Sequence, residues 1–432
     1  MKTVVLVAPH FVPSFLPSVH RSRLWSYYLP EFGWKPIILT TDERYYECQI
    51  APEMLDLLPN DLEIIRVAAI PTKPVRIVGD ISVRSFPFYI AALNRLAKER
   101  RFDFLHITIP ANYAAVLGPI VFRRHRIPYG IDYIDPWVQD SRNDLQVFSK
   151  AWFSHTLAKI LEPYAVRHAR LITGINTAYF ESVLARNPHL RSTATVAGMP
   201  YGGSERDYDA LKKRPRETFL FDPQDGLCHV IYAGALLPKA VDVLNRLFAA
   251  VVRLRARDPA LANRLRIHFV GTGLYESDSR QGQLVEPLIR KHNLNDCVSE
   301  FPSRIPYLDV LNHLRQSDAI LIIGSTEPFY SPSKTYQSIL SRRPVFALLH
   351  EQSTAVPVIR SSNAGEVFTF TELRLPDPEN LATVLEAFLR RVSDAATNIN
   401  WQAFGEAPAK QSARILATAM DEAVERHEHA NS

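Results

Sequence analysis

Short apolar runs alternate with longer stretches whose apolar positions recur every three or four residues. In the first half the runs Thr3–Ala8, Pro36–Thr40, Leu62–Val67, Phe104–Thr108, Tyr129–Tyr133 and Leu171–Gly174 predict strands. Helical spacing predicts Arg21–Phe32, Phe88–Arg100, Tyr113–Arg124, Trp152–His168 and Thr177–Asn187 between them. Strands that are apolar on both faces, each followed by a helix, predict a parallel sheet covered on both sides.

The alternation stops at the polar, charge-rich stretch Gly202–Gly226, which holds Lys212-Lys213-Arg214-Pro215 and reads as a connection between domains. It restarts at Cys228–Gly234, a strand running into a glycine turn. Helix Val241–Arg257, strand Arg266–Val270, helix Gln283–His292, a short strand near Val298–Phe301 and helix Tyr307–Gln316 follow. Strands Ala319–Ile323, Val345–Leu349 and Gly365–Phe370 and helix Pro378–Val392 complete a second doubly wound unit. Helix Ala409–His427, with Ile415, Leu416, Met420 and Val424 on one stripe, comes after that sheet is complete and is expected to pack back on the first domain. The expected division is a first domain over 1–201, a connector over 202–227, a second domain over 228–405 and a terminal helix over 406–432.

A chain of 432 residues is long enough for two such cores. The hydrophobic share of 47% and charged share of 22% are those of globular proteins, which excludes wholesale disorder. Cys48, Cys228 and Cys297 are scattered, without a CxxC pair, so neither a disulfide framework nor a structural zinc site is expected. The opening MKTVVLVAPHF is too short in apolar residues for a signal peptide and no run reaches membrane-span length, which points to a cytoplasmic protein. A net charge of +5 without zinc-finger or RNP patterns gives no reason to expect nucleic acid as a partner. The basic clusters Arg95, Lys98, Arg100, Arg101 and Arg123, Arg124, Arg126 follow apolar stretches. They fit either ordinary solvated helix ends or peripheral contact with the inner face of a membrane.

The most informative stretch is Ser317–Leu349: a buried strand, a loop over Gly324–Pro332, a helix start at Ser333-Lys334, and a second strand. Free N–H groups and the positive end of a helix dipole beside a lysine make a site for an anion, and a phosphate or diphosphate is the natural guest. A lysine in a first turn opposes the dipole, so its placement invites an anionic partner. Two open parallel sheets in one chain further suggest a ligand held in a central cleft, at the carboxyl ends of the strands.

Three segments carry a family resemblance: VLVAPHFVPSFLPSVHRSRLWSYYLPEFGWKPIILT, HVIYAGALLPKAVDVL and SPSKTYQSILSRRPVFA. In this order and spacing the chain resembles the retaining GT-B glycosyltransferases, specifically glycosyltransferase family four (the group 1 glycosyl transferases). The resemblance implies an α/β fold of two Rossmann-like doubly wound domains facing a central cleft. It implies a nucleoside-diphosphate sugar as donor, no metal cofactor, and a glycan or lipid-linked acceptor. Lys239 and Lys334 would neutralise the leaving diphosphate; for each the alternative is an ordinary exposed lysine. Gly234, Ser333 and the Gly271-Thr272-Gly273 turn would lie near the nucleotide, although a turn that needs glycine for its own geometry explains Gly271 and Gly273 equally well. Glu300-Phe301-Pro302 matches the place where relatives contact the base.

The sequence departs from the pattern in places. Relatives carry an arginine soon after the glycine, where this chain has Ala235, and two glutamates eight positions apart. Here Gln337 takes the second position, Phe329 stands at the first, and Glu327 lies two residues before it. Gln337 still offers hydrogen bonds to a ribose diol, without charge. In place of paired glycines the loop Pro13–Arg23 offers Ser14, Ser18, His20, Arg21 and Arg23, with Arg21 a candidate for a phosphate. By resemblance His106 lies near the sugar; a satisfied structural histidine is the alternative. Asp132 and Asp135 in GIDYIDPW follow the same logic. Asp135 is the candidate for an acceptor hydroxyl or for stabilising oxocarbenium-like charge, against a turn cap before Pro136. No G-x-S-x-G elbow and no Walker loop is present. The expected activity is hexosyl transfer with retention in polysaccharide or cell-surface glycan synthesis. The rivals are an epimerase or hydrolase on the same fold and a catalytically silent nucleotide-sugar or partner-binding protein.

Overall fold

The computed structural model describes residues 1–74, 76, 78–138, 146–273, 283–394, 398–405 and 408–429. Two compact units account for the chain: 1–202 together with 409–432, and 203–408.

In the first unit seven parallel strands form one sheet: β1 (Lys2–Val7), β2 (Trp34–Thr41), β3 (Glu63–Val67), β4 (Phe104–Ile109), β5 (Tyr129–Tyr133), β6 (Leu171–Gly174) and β7 (Thr195–Gly198), in the order β3-β2-β1-β4-β5-β6-β7. One face carries Val5, Leu39, Ile107, Ile131 and Ile172 into a core with helices Ile81–Glu99 and Leu117–His125. Asp80 begins the first of these, its carboxylate accepting from the N–H groups of Ser82 and Val83. On the opposite face the register places Thr108, Asp132 and Thr173 side by side across β4, β5 and β6. This polar row binds helix Pro17–Tyr28, which buries His20, Arg21, Ser22, Arg23, Trp25 and Ser26 as well as its apolar residues.

Helix Pro408–His429 returns to this unit. Ser412 accepts a hydrogen bond from Trp25 Nε1 at 3.0 Å, Asp421 pairs with Lys2, Lys410 pairs with Glu31, and His427 Nε2 bonds the Arg126 carbonyl.

The second unit holds β8 (Cys228–Ala233), β9 (Leu265–Val270), β10 (Val298–Phe301), β11 (Ala319–Ile323), β12 (Val345–His350) and β13 (Gly365–Phe370) in the all-parallel order β10-β9-β8-β11-β12-β13. Every residue of β8, β11 and β12 is buried, as unbroken apolar runs in the middle of a two-sided sheet must be. The chain winds outward from β8 to β10, then crosses back to start β11 on the other side of β8. The sheet's switch point therefore lies between β8 and β11.

The stretch expected as a plain connector carries a helix, Glu205–Lys213. Its Ser204 cap accepts from Arg206 N–H, and it buries Asp207, Tyr208 and Leu211 in the second unit. Tyr208 reaches the Gln337 carbonyl and Asp207 accepts from the Tyr307 hydroxyl, so the charged sequence hides one inward-facing stripe.

Candidate functional site

The turns at the carboxyl edge of the second sheet are tied to one another in sequence. Gly234 N–H bonds Val270 O, Leu236 N–H bonds Thr272 O, and Gly271 N–H bonds Phe301 O at 2.8 Å. Gly273 N–H reaches Pro302 O. Gly234 has φ 122°, a conformation side chains rarely adopt, and a Cβ there would stand 3.2 Å from Lys334 Nζ and 3.4 Å from its Cε. Glycine at this position thus lets the Lys334 head lie directly against the backbone of the β8 turn. Gly271 is its neighbour, a Cβ on it falling 3.9 Å from Gly234 Cα.

Lys334 opens helix Lys334–Leu340, which follows β11, so the cation stands at the switch point, where doubly wound sheets hold their ligands. Its Nζ is buried and has no hydrogen-bond partner. It lies 3.4 Å from the centroid of the Tyr232 ring, whose hydroxyl donates to Ala235 O. Burial alone drives the Lys334 pKa well below that of a free lysine. Gln337 Oε1, one turn on, is likewise buried without a partner. Two polar atoms left wanting on successive turns are what a polar ligand satisfies. The helix is only seven residues long, so its dipole is small, and its N-cap residue Ser333 offers no capping bond to the first-turn N–H groups.

Lys239 and Glu327 meet: Nζ and Oε1 are 3.1 Å apart in a half-exposed ion pair. Lys239 O also accepts from Thr326 N–H, which pins the loop after β11 to the turn after β8. Glu327 is thus drawn to the lysine that the sequence associates with the phosphate. Glu300 serves the fold: its Oε1 accepts from Thr272 Oγ1 at 2.5 Å and its Oε2 from the N–H groups of Val285 and Glu286.

In the first unit the sequence candidates separate. Arg21 and Asp132 have fully buried side chains and form a two-pronged pair, Nε to Oδ2 at 2.6 Å and Nη2 to Oδ1 at 3.0 Å. Arg21 also donates to the carbonyls of Met199 and Pro200 and stacks 4.7 Å from the Trp25 ring. Its guanidinium is committed to joining helix to sheet, where the sequence suggested a phosphate ligand. His106 is completely buried inside β4 rather than at its end, with Nε2 3.3 Å from Thr173 Oγ1 and no partner for Nδ1. Burial lowers its pKa to about 4, so the ring is neutral. Asp135 is exposed just beyond β5, at the carboxyl edge of the first sheet. His10, which the sequence did not single out, occupies the corresponding edge after β1. Its ring centroid is 4.9 Å from that of Tyr46 and its pKa is lowered to about 4, mainly by burial. The one visible signal for it was a histidine directly after the first strand.

Among the described residues no group of three or more His, Cys, Asp or Glu side chains is arranged to hold a metal ion. No described helix is long and apolar enough to cross a membrane.

No protein-family model matches the chain, and no curated protein sequence matches it. Solved structures match it in fold. Anabaena HepE in complex with UDP and glucose aligns with a TM-score of 0.58 at 12% identity, covering 100% of this chain and 98% of that one. The α,α-trehalose 6-phosphate synthase of Burkholderia multivorans aligns with a TM-score of 0.61 at 12% identity, over 100% and 97% of the two chains. Sucrose-phosphate synthase of Thermosynechococcus elongatus gives 0.55 at 14%, over 98% and 94%. At such identities the likeness is one of architecture, and with its two parallel doubly wound sheets the chain has the GT-B fold.

Proposed function

We propose that this protein is a glycosyltransferase that moves a hexose, with retention and without a metal, from a nucleoside-diphosphate sugar to a glycan or lipid-linked acceptor. Polysaccharide or cell-surface glycan synthesis at the cytoplasmic side of a membrane is the proposed setting. The observation that carries the reading is Lys334: a buried cation site without a counter-ion, at the switch point of a doubly wound sheet, against a glycine turn. The complexes of HepE with UDP and with UDP-glucose support a nucleotide sugar as its guest.

In this reading the diphosphate lies over Gly234 and Lys334, and the bound anion favours the charged form of the lysine that burial disfavours. Charge that develops on the leaving diphosphate is met by a cation already in place, in a site poor in water. Lys239 adds a second cation once Glu327 yields it, and Gln337 Oε1 accepts from a ribose hydroxyl. Asp135 is the proposed contact for the acceptor. Retention follows if the acceptor hydroxyl attacks from the face the diphosphate leaves and gives its proton to that phosphate. The neutral, enclosed His106 supports the sheet in this scheme.

The test is a thermal-shift panel of UDP-, GDP-, ADP- and dTDP-sugars on wild type and Lys334→Ala, followed by acceptor assays with the nucleotide that stabilises. One nucleotide class should raise Tm in wild type and not in the variant. No shift with any of them refutes the donor site. The Lys239–Glu327 pair gives a second reading its footing, since it neutralises one of the two expected cations. That reading is a protein that binds nucleotide sugar without transferring it. Binding with no release of nucleoside diphosphate, with or without acceptors, would favour it.

A further inference from the structure

Helix Lys150–Val166 of the first unit shows an unusual division of its surface. It buries Ala158, Glu162, Ala165 and Val166. Its outer face carries Phe153, Leu157 and Ile160, four and then three residues apart and therefore on one stripe, at 55%, 42% and 65% exposure. The turn leading into the helix adds Val147 at 58% and Phe148 at 76%. The Phe148 ring lies 5.6 Å from Trp152 and 6.3 Å from Phe153, so the aromatic groups gather at the amino-terminal end of the stripe. Single exposed apolar residues are ordinary; a continuous row of five needs a partner.

Charge identifies that partner. From Gln146 to Arg170 the only carboxylate is Glu162, which faces inward and accepts from Arg186 Nε at 2.8 Å. The exposed charges of the helix are Lys150 and Lys159, and Arg167 is exposed just beyond its end. From the neighbouring helix Leu117–His125, Arg123 extends over the Tyr164 ring at 5.6 Å, on the helical face shared with Phe153 and Ile160, and Arg124 is exposed beside it. Among the described residues of this helix, its leading turn and helix Leu117–His125, the apolar row is thus bordered by cations and no carboxylate is exposed. Trp and Tyr near the row, Lys and Arg at its ends and apolar side chains in the middle match the depth profile of a lipid interface. A symmetric contact with a second copy would set the same cations against one another.

We propose that the face made by Val147, Phe148, Phe153, Leu157 and Ile160, with its border of Lys150, Lys159, Arg167 and Arg123, docks the protein on an anionic lipid bilayer. Of the basic clusters seen in the sequence, the one holding Arg123 and Arg124 lies on the neighbouring helix; the apolar row it borders is visible only once Glu162 is known to point inward. This surface goes beyond the transfer reaction and does not depend on it.

The test uses the full chain with vesicles of phosphatidylcholine, with and without phosphatidylglycerol. Sedimentation should show binding to the anionic vesicles that weakens as salt is raised. Phe153→Ser/Ile160→Ser should weaken it by about tenfold or more with an unchanged melting curve, because both side chains are exposed. Lys150→Gln/Lys159→Gln should weaken binding to the anionic vesicles alone. Absence of binding to anionic vesicles, or binding as tight as wild type by either double variant, overturns the proposal. So does a wild-type dimer in analytical ultracentrifugation that Phe153→Ser/Ile160→Ser abolishes, since a second copy would then cover the face.

Discussion

Lys334 has a cost that the protein bears whenever its guest is absent. Its folded-state pKa lies below that of lysine in the unfolded chain, because burial penalises the charge and no carboxylate offsets it. Between those two values the unfolded chain binds the extra proton, so the ligand-free protein loses stability as pH falls from about 10.5 through that window. Lys334→Met keeps an apolar chain over Tyr232 and removes the titrating group. The variant should be more stable than wild type at neutral pH by on the order of 1–3 kcal/mol. The difference should shrink as pH approaches the lysine range, as read by urea denaturation across a pH series. If the proposed donor site is right, the gain would come with loss of nucleotide binding, the usual exchange at a functional site. Arg21 and Asp132 predict the opposite sign. Asp132→Asn leaves a guanidinium buried without its counter-charge and should destabilise the first unit by about 3–5 kcal/mol. Arg21→Met/Asp132→Leu should recover much of that loss. A double variant no better than Asp132→Asn in equilibrium unfolding would show that the bonds of Arg21 to the Met199 and Pro200 carbonyls and of Thr173 to Asp132 matter as much as the ion pair.

Elements differ in how openly the sequence declares them. Strands β5, β6, β10, β11 and β13 match their apolar runs residue for residue, and so do helices Val241–Arg257 and Tyr307–Gln316. These are the segments where burial on one or both faces leaves a periodic signature. Strand β7 escapes notice because it is four residues long, at the edge, with Val196 exposed. Helix Glu205–Lys213 escapes because Tyr208 and Leu211 are its only large apolar anchors among charges. Helix Ile81–Glu99 begins seven residues before its apolar pattern does, where Asp80 supplies the cap. The terminal helix is the most consequential element. Trp25, Lys2, Glu31 and the Arg126 carbonyl all take partners from it. Deleting residues 408–432 should bare Trp25 and the outer side of helix Pro17–Tyr28. We expect calorimetry to show the first unit's transition lowered by 10 °C or more or lost, at about 2–4 °C per kcal/mol for a domain of this size. The second unit's transition should stay within a few degrees.

For the molecule as a whole, the sequence made the doubly wound architecture legible and the site only in part. Lys334 and Gly234 were visible because a glycine after one strand and a lysine after another fall at a position that strand order makes special. The sequence could not show that these two touch, that Lys239 meets Glu327, or that Arg21 is spent on Asp132, 111 residues away. Such pairings depend on register across strands, and register is a property of the folded sheet.

The first unit is also interrupted in sequence, since its last helix follows the whole of the second unit. On a ribosome the residues through 202 emerge early, with Trp25 and its neighbours waiting for a partner not yet made. At the usual pace of about 5–20 residues per second, the 206 residues from 203 to 408 take about 10–40 s to synthesise. The second unit can close in that interval, while the first waits for the helix that begins at Pro408. The half that is translated first is the half that is finished last, so chaperones holding a nascent chain of this kind should be found on its amino-terminal portion.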